Sequence, residues 1–164
     1  MDTFKEQLVK IKSTPTTILL SVLIWIAAIA ITAVALLFLA QLAVLVAFLL
    51  FWGAIKLSKK LSIEYEYILT NGDLDVDKIM GQAERKRICS IKCSEIEAVG
   101  KYSPGMQLPQ NAIVCCNPDD ESYFLRGRDS KGNAVCIVIA PNEKMKEAIK
   151  AFIPRIIQRD AFAN

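Results

Sequence analysis

The stretch LSIEYEYILTNGDLDVDKIMGQAERKRICSI, residues 61–91, reads as three strands joined by two tight turns. In residues 61–70 the apolar Ile63, Tyr65 and Tyr67 alternate with Glu64 and Glu66, the period of two expected of a strand with one covered face. Asn71-Gly72 follows. That dipeptide is a strong hairpin signal, because a type I′ turn requires positive φ at both central residues. The returning residues 74–79 again alternate apolar with charged side chains, Gly81-Gln82 marks a second turn, and residues 83–91 form the third strand.

Working toward the C-terminus, residues 94–99 supply a fourth strand and residues 100–111 a loop rich in turn formers. Three more strands are predicted near 112–116, 122–128 and 134–140, with Ser130-Lys131-Gly132 in the hairpin between the last two. After Pro141-Asn142 the period changes. Met145, Ala148, Ile149, Phe152, Ile153, Ile156 and Ile157 recur at three and four, the stripe of an amphipathic helix with Asn142 as its N-cap. Pro154 should kink or end that helix. Seven strands followed by one helix is the order of a pleckstrin-homology-like (PH-like) antiparallel barrel, two nearly orthogonal sheets capped by the C-terminal helix. The segment from Tyr65 to Ile91 resembles small bacterial membrane proteins of unknown function that place a transmembrane hairpin before a PH-like domain. The likeness extends to APNEKM at Ala140, and its most distinctive piece is TNGDLDVDKI at Thr70. It implies this architecture and brings no activity with it.

Working toward the N-terminus, residues 18–55 contain no charged side chain. About 20 apolar residues cross a hydrocarbon core roughly 30 Å thick. One helix of this length would reach about 57 Å at roughly 1.5 Å per residue, too long even when tilted. The economical arrangement is a hairpin of two helices, residues 16–33 and 37–55. The turn expected at 32–36 has no Gly, Pro, Asn or Asp, and an alternative lies near Ala40 and Gln41. Lys5, Lys10 and Lys12 precede the run, and Lys56, Lys59 and Lys60 follow it. Basic flanks favour the cytoplasmic side, so both termini are expected there, in a multi-pass protein of the cell membrane. A cleaved signal competes with this reading, but its apolar region should be only about 7 to 15 residues. Trp52, near the end of the run, suits an interfacial anchor. The organisation expected is a cytoplasmic segment 1–15, a membrane α-hairpin 16–57 and an α+β PH-like domain 61–164.

Catalysis has little to work with. There is no histidine to serve as base or metal ligand, and no phosphate-binding or dinucleotide motif. The odd number of cysteines, five, without C-x-x-C spacing reads as core residues kept reduced in a cytoplasmic domain. Asp73, Asp75 and Asp77 superficially suggest a calcium loop, but the sixth position, Lys78, should be glycine. On a strand they simply share a solvated face. No cofactor or metal is therefore expected. The near-balanced charge after residue 61 speaks against nucleic acid.

Two candidate surfaces remain. Lys56, Lys59 and Lys60, with Arg85, Lys86 and Arg87, could face anionic headgroups. Alternatively, Arg85 and Arg87 pair across strands with Asp75, Asp77 or other acidic neighbours. In the loop KYSPGMQLPQ, Tyr102, Met106 and Leu108 either meet a partner or cover one end of the barrel. The function expected is a membrane-tethered, non-enzymatic binding module of unknown ligand, its PH-like domain at the cytoplasmic face of the bilayer. Its partners would be the lipid bilayer with its anionic lipid headgroups, or another membrane protein. The alternative is an accessory subunit of a larger membrane complex, contacted through the hairpin, where Ala27, Ala28, Ala30, Ala40 and Ala43 allow close helix approach. A thiol or metal sensor using Cys115 and Cys116 is a third reading.

Overall fold

The computed structural model describes residues 3–38, 41–159 and 161–162. The chain divides into two compact units. One comprises Met1–Ile11, Glu64–Lys78 and Arg85–Asn164, the other Lys12–Ile63 and Ile79–Glu84.

The first unit holds eight strands among the described residues, one more than the sequence pattern predicts. They are β1 (Phe4–Lys10), β2 (Ile63–Thr70), β3 (Asp73–Met80), β4 (Glu84–Lys92), β5 (Ala98–Tyr102), β6 (Ala112–Val114), β7 (Ser122–Arg128) and β8 (Ala134–Ile139). The ends of β2, β3 and β4 run into the second unit. The strands form two four-stranded sheets, ordered β1-β2-β3-β4 and β5-β7-β8-β6. The expected antiparallel seven-stranded barrel is thus corrected to two sheets that, among the described residues, do not close by strand pairing. One pair, β6 with β8, is parallel. A single bridge between Ile91 and Asp129 joins β4 to the turn after β7.

The additional strand β1 pairs antiparallel with β2, from Phe4 opposite Thr70 to Lys10 opposite Glu64. Its entry is pinned by Asn71, whose N–H donates to the Thr3 carbonyl and whose Oδ1 accepts the Thr3 N–H, both at 2.9 Å. Asn71 and Gly72 have φ of 50° and 96°, and Gly81 and Gln82 of 61° and 60°. Both dipeptides therefore adopt the left-handed conformations that the two hairpins require. Residues 93–95 form a short 3-10 turn, so the strand predicted at 94–99 begins later, as β5.

The core between the sheets is made by Tyr67 and Leu69 of β2, Leu74 and Val76 of β3, and Leu125, Ile137 and Ile139 of β7 and β8. Helix α3 (Glu143–Phe152) adds Met145 and Ile149. Its cap is the predicted one, with Asn142 Oδ1 accepting the Met145 N–H at 2.9 Å. Pro154 separates α3 from a four-residue helix, Arg155–Gln158. The break shifts the helical phase, so Ile153 stays buried while Ile156, read as part of the same stripe, is 91% exposed. The Tyr67 hydroxyl donates to the Cys115 carbonyl and accepts the Ala140 N–H, joining β2 to the second sheet.

The second unit contains two packed helices, α1 (Pro15–Phe38) and α2 (Ala43–Lys60). Trp25 and Phe51 meet with ring centroids 6.0 Å apart. The turn expected at residues 32–36 is corrected, because these positions lie inside α1 and Thr32 donates back to the Ala28 carbonyl at 2.8 Å. Gln41 lies in the turn between the helices, and Ala40 falls outside the described residues. Among the described residues, α1 alone is both long and apolar enough to cross a membrane; α2 ends in Lys56, Lys59 and Lys60.

Candidate functional site

The arginines of β4 are tied down by carboxylates of the neighbouring β3 and, one strand farther, of β2. Arg85 Nη2 lies 2.9 Å and 3.1 Å from the two oxygens of Glu66. Arg87 reaches Asp75 Oδ2 at 2.9 Å through Nη1 and Asp77 Oδ1 at 3.0 Å through Nε. The expectation that the carboxylates alternate outward into solvent is corrected here. Glu64, Glu66 and Asp77 are buried, whereas Asp73 is exposed. Burial, reinforced by a hydrogen bond with Glu6, raises the Glu66 carboxyl above the usual glutamate range against the opposing pull of Arg85. The hydrogen bond that Arg87 donates to Asp77 holds its guanidinium charged. Lys86, between them, is exposed and has no ion pair among the described residues.

The lysines at the end of α2 are placed differently. The turn linking β3 to β4 lies against this helix end within the same compact unit. The Gly81 N–H donates to the Ser62 carbonyl at 3.0 Å, and a Cβ on Gly81 would stand 3.1 Å from the Lys59 backbone. Between the turn and the helix is a cavity of about 360 Å³ lined in part by Trp52, Ile55, Lys56, Lys59 and Met80. Lys56 Nζ lies 5.3 Å from the Trp52 ring centroid, within cation–π range. Lys60 is engaged by Glu84 at 2.6 Å, and Lys59 has no ion pair among the described residues.

Of the loop candidates, Met106 is exposed, while Tyr102 at the end of β5 and Leu108 are half-buried. Of the small residues considered for helix approach, Ala28 and Ala43 are buried and Ala27 and Ala30 exposed. All five cysteines are buried and unbridged. Burial pushes the Cys89 thiol to about 11 and the Cys93 and Cys115 thiols to about 12, and it also raises Cys116 and Cys136. Thiols so held are poor nucleophiles and poor metal ligands.

One polar cluster was not legible beforehand. Lys146 of α3 is buried, its Nζ 2.9 Å from Glu143, 3.3 Å from Glu121 and 3.4 Å from the Tyr123 hydroxyl. It also stands 4.8 Å above the Tyr123 ring. Burial alone would lower its pKa, but the bonds to Glu143, Tyr123 and Glu121 outweigh that and hold the amine protonated. A lysine so held anchors α3 to β7 and is a poor base. The helical stripe marked position 146 as polar, and nothing in the sequence showed that a neighbouring strand would cover it.

A family model described as Bacterial PH-like domain (DUF6106) matches residues 1–159. No curated protein matches, and no solved structure does.

Proposed function

Because the chain belongs to this family of bacterial PH-like domains, we propose that it is a membrane-tethered, non-enzymatic binding module, with α1 and α2 as a transmembrane hairpin and both termini cytoplasmic. The observation that carries this reading is the surface of the two helices. Their buried residues are Ala28, Ala35, Ala43 and Ala54, while large apolar side chains such as Ile26, Ile29, Val34, Phe48 and Leu49 remain about half exposed or more. A pair of helices that turns its large apolar residues outward needs an apolar surround. α1, at 24 residues, spans about 36 Å. The uncharged part of α2 is shorter, and its lysine stems can extend toward the interface.

Alkaline carbonate extraction of membranes containing the full-length chain tests the tether. Retention in the pellet is expected, and release into the supernatant would sink it. Tags on the two termini test the hairpin, and protease access to them from opposite sides would leave a single span. Stoichiometric recovery of another membrane protein, lost on replacing the exposed Ala27 and Ala30 by Leu, would favour an accessory subunit.

A further inference from the structure

We infer that the cavity at the end of α2 is a binding site for the headgroup of an anionic phospholipid, engaging its phosphate through Lys56 and Lys59 and its glycerol region through Trp52, Ile55 and Met80. This rests on the tethered reading above and adds a ligand class to it. The cavity has two unlike walls. Its apolar wall continues the uncharged surface of α2, which ends at Ile55, and its cationic wall begins at the next residue. A phospholipid has the same order along its length, acyl chains, glycerol ester, then phosphate, and a tryptophan at that depth suits the interface. Bare phosphate would leave the apolar wall unused.

Of the six basic candidates in the sequence, Arg85 and Arg87 are consumed by Glu66, Asp75 and Asp77, and Lys60 by Glu84. Glu84 is the acidic group of the lining, and Lys60 offsets it. The helix C-terminus carries the negative end of the dipole, which opposes an anion. Two of its last carbonyls are occupied, Ser58 by the Leu61 N–H and Lys59 by the Ser62 N–H. Lys86 lies outside the cavity, so Lys56 and Lys59 set the local field, with Lys56 held over Trp52.

The test uses the full-length protein in mild detergent, with native mass spectrometry counting phosphatidylglycerol and phosphatidylcholine retained from matched additions. Phosphatidylglycerol should be retained preferentially. At about 1 kcal/mol, or roughly fivefold, per basic residue, K56Q/K59Q should weaken retention about twenty- to thirtyfold. K56R/K59R should preserve most of it, and K86Q should leave it nearly unchanged. Equal retention of the two lipids, or equal losses in K86Q and K56Q/K59Q, would overturn the site. Full displacement by millimolar inorganic phosphate would make bare phosphate the ligand and overturn the lipid assignment. Carbonate extraction of the membranes from which the protein is purified separates the two readings: a chain that stays in the membrane without lipid preference sinks only this inference, and a chain that is extracted sinks the tether itself.

Discussion

Arg85 and Arg87 lie on a sheet whose next two strands present Glu66, Asp75 and Asp77, whereas Lys56 and Lys59 lie on a helix whose preceding turns are entirely apolar. In the linear sequence both are short basic clusters. In the fold, the first stays at the surface but is paired with carboxylates that the sheet largely buries and must neutralise. Among the described residues the second has only Glu84 for an ion-pair neighbour, and Lys60 takes it. A run of positive charge therefore says little about available charge until the acidic residues of neighbouring strands are placed.

The strongest way to break this contrast is to remove Arg87. Asp77 has a side chain only 5% exposed, and without its guanidinium it keeps a buried charge unpaired. Arg87→Ala should cost about 2 kcal/mol of stability, read by thermal or chemical unfolding in mild detergent. In a double-mutant cycle, adding Asp77→Ala should cost much less than the sum of the two single changes. Strict additivity would mean that the pair is incidental.

Gly81 tests the other cluster through the turn that closes its cavity. With φ of 61° and the Lys59 backbone 3.1 Å from any added Cβ, Gly81→Ala meets both left-handed strain of about 1–2 kcal/mol and a backbone contact. Gly105→Ala, at φ of 97° with open space around it, meets the strain alone. A larger drop in melting temperature is expected at Gly81, and equal drops would show that the turn is not seated against α2.

What the sequence announced were features set by a few neighbouring residues, such as the Asn71-Gly72 turn, the Asn142 cap and the break at Pro154. What it hid depended on distant partners. β1 was obscured because its inward positions, Gln7 and Val9, carry a single apolar side chain, while Phe4 and Leu8 are exposed. Without inward alternation there is no period of two to read. Gln7 is held instead by polar bonds, to the Ala140 carbonyl at 2.8 Å and from the Asn142 N–H at 2.8 Å. Glu64 and Glu66 looked solvated because alternation identifies a face without saying what will cover it. The helix connection lacks Gly and Pro, so the lone polar Gln41, the alternative turn position, was the one local mark of where α1 ends. The candidate lysines were legible as flanks of an apolar run, but the cavity was not, since it needs a turn some twenty residues farther along the chain.

Titration of Glu66 gives a finer test of how the sheet holds its charges. Its carboxyl, facing Glu6, Arg85 and Asp77, is raised above 4.5 chiefly by burial. The folded chain therefore binds this proton more tightly than the unfolded chain, and stability should fall as pH rises through the window starting near 4.5. Glu121 and Asp129 are lowered by their hydrogen bonds. Their contributions are lost as pH falls below the ordinary carboxylate range, so the two windows have opposite slopes. Glu66→Gln should flatten the upper window and leave the lower one. An unchanged upper slope would assign that proton to another group.

The smallest stability change should come from Lys59→Ala. An exposed lysine without an ion pair contributes within about 0.5 kcal/mol, so unfolding in mild detergent should barely move. The same substitution should still weaken phosphatidylglycerol retention by about fivefold, and the loss should shrink as salt screens the site. Arg87→Ala should behave in reverse, costing stability with little effect on lipid. That crossing of effects separates a charge spent on folding from one left for a ligand. If Lys59→Ala destabilised the protein as much as Arg87→Ala does, the two clusters would be doing the same structural job.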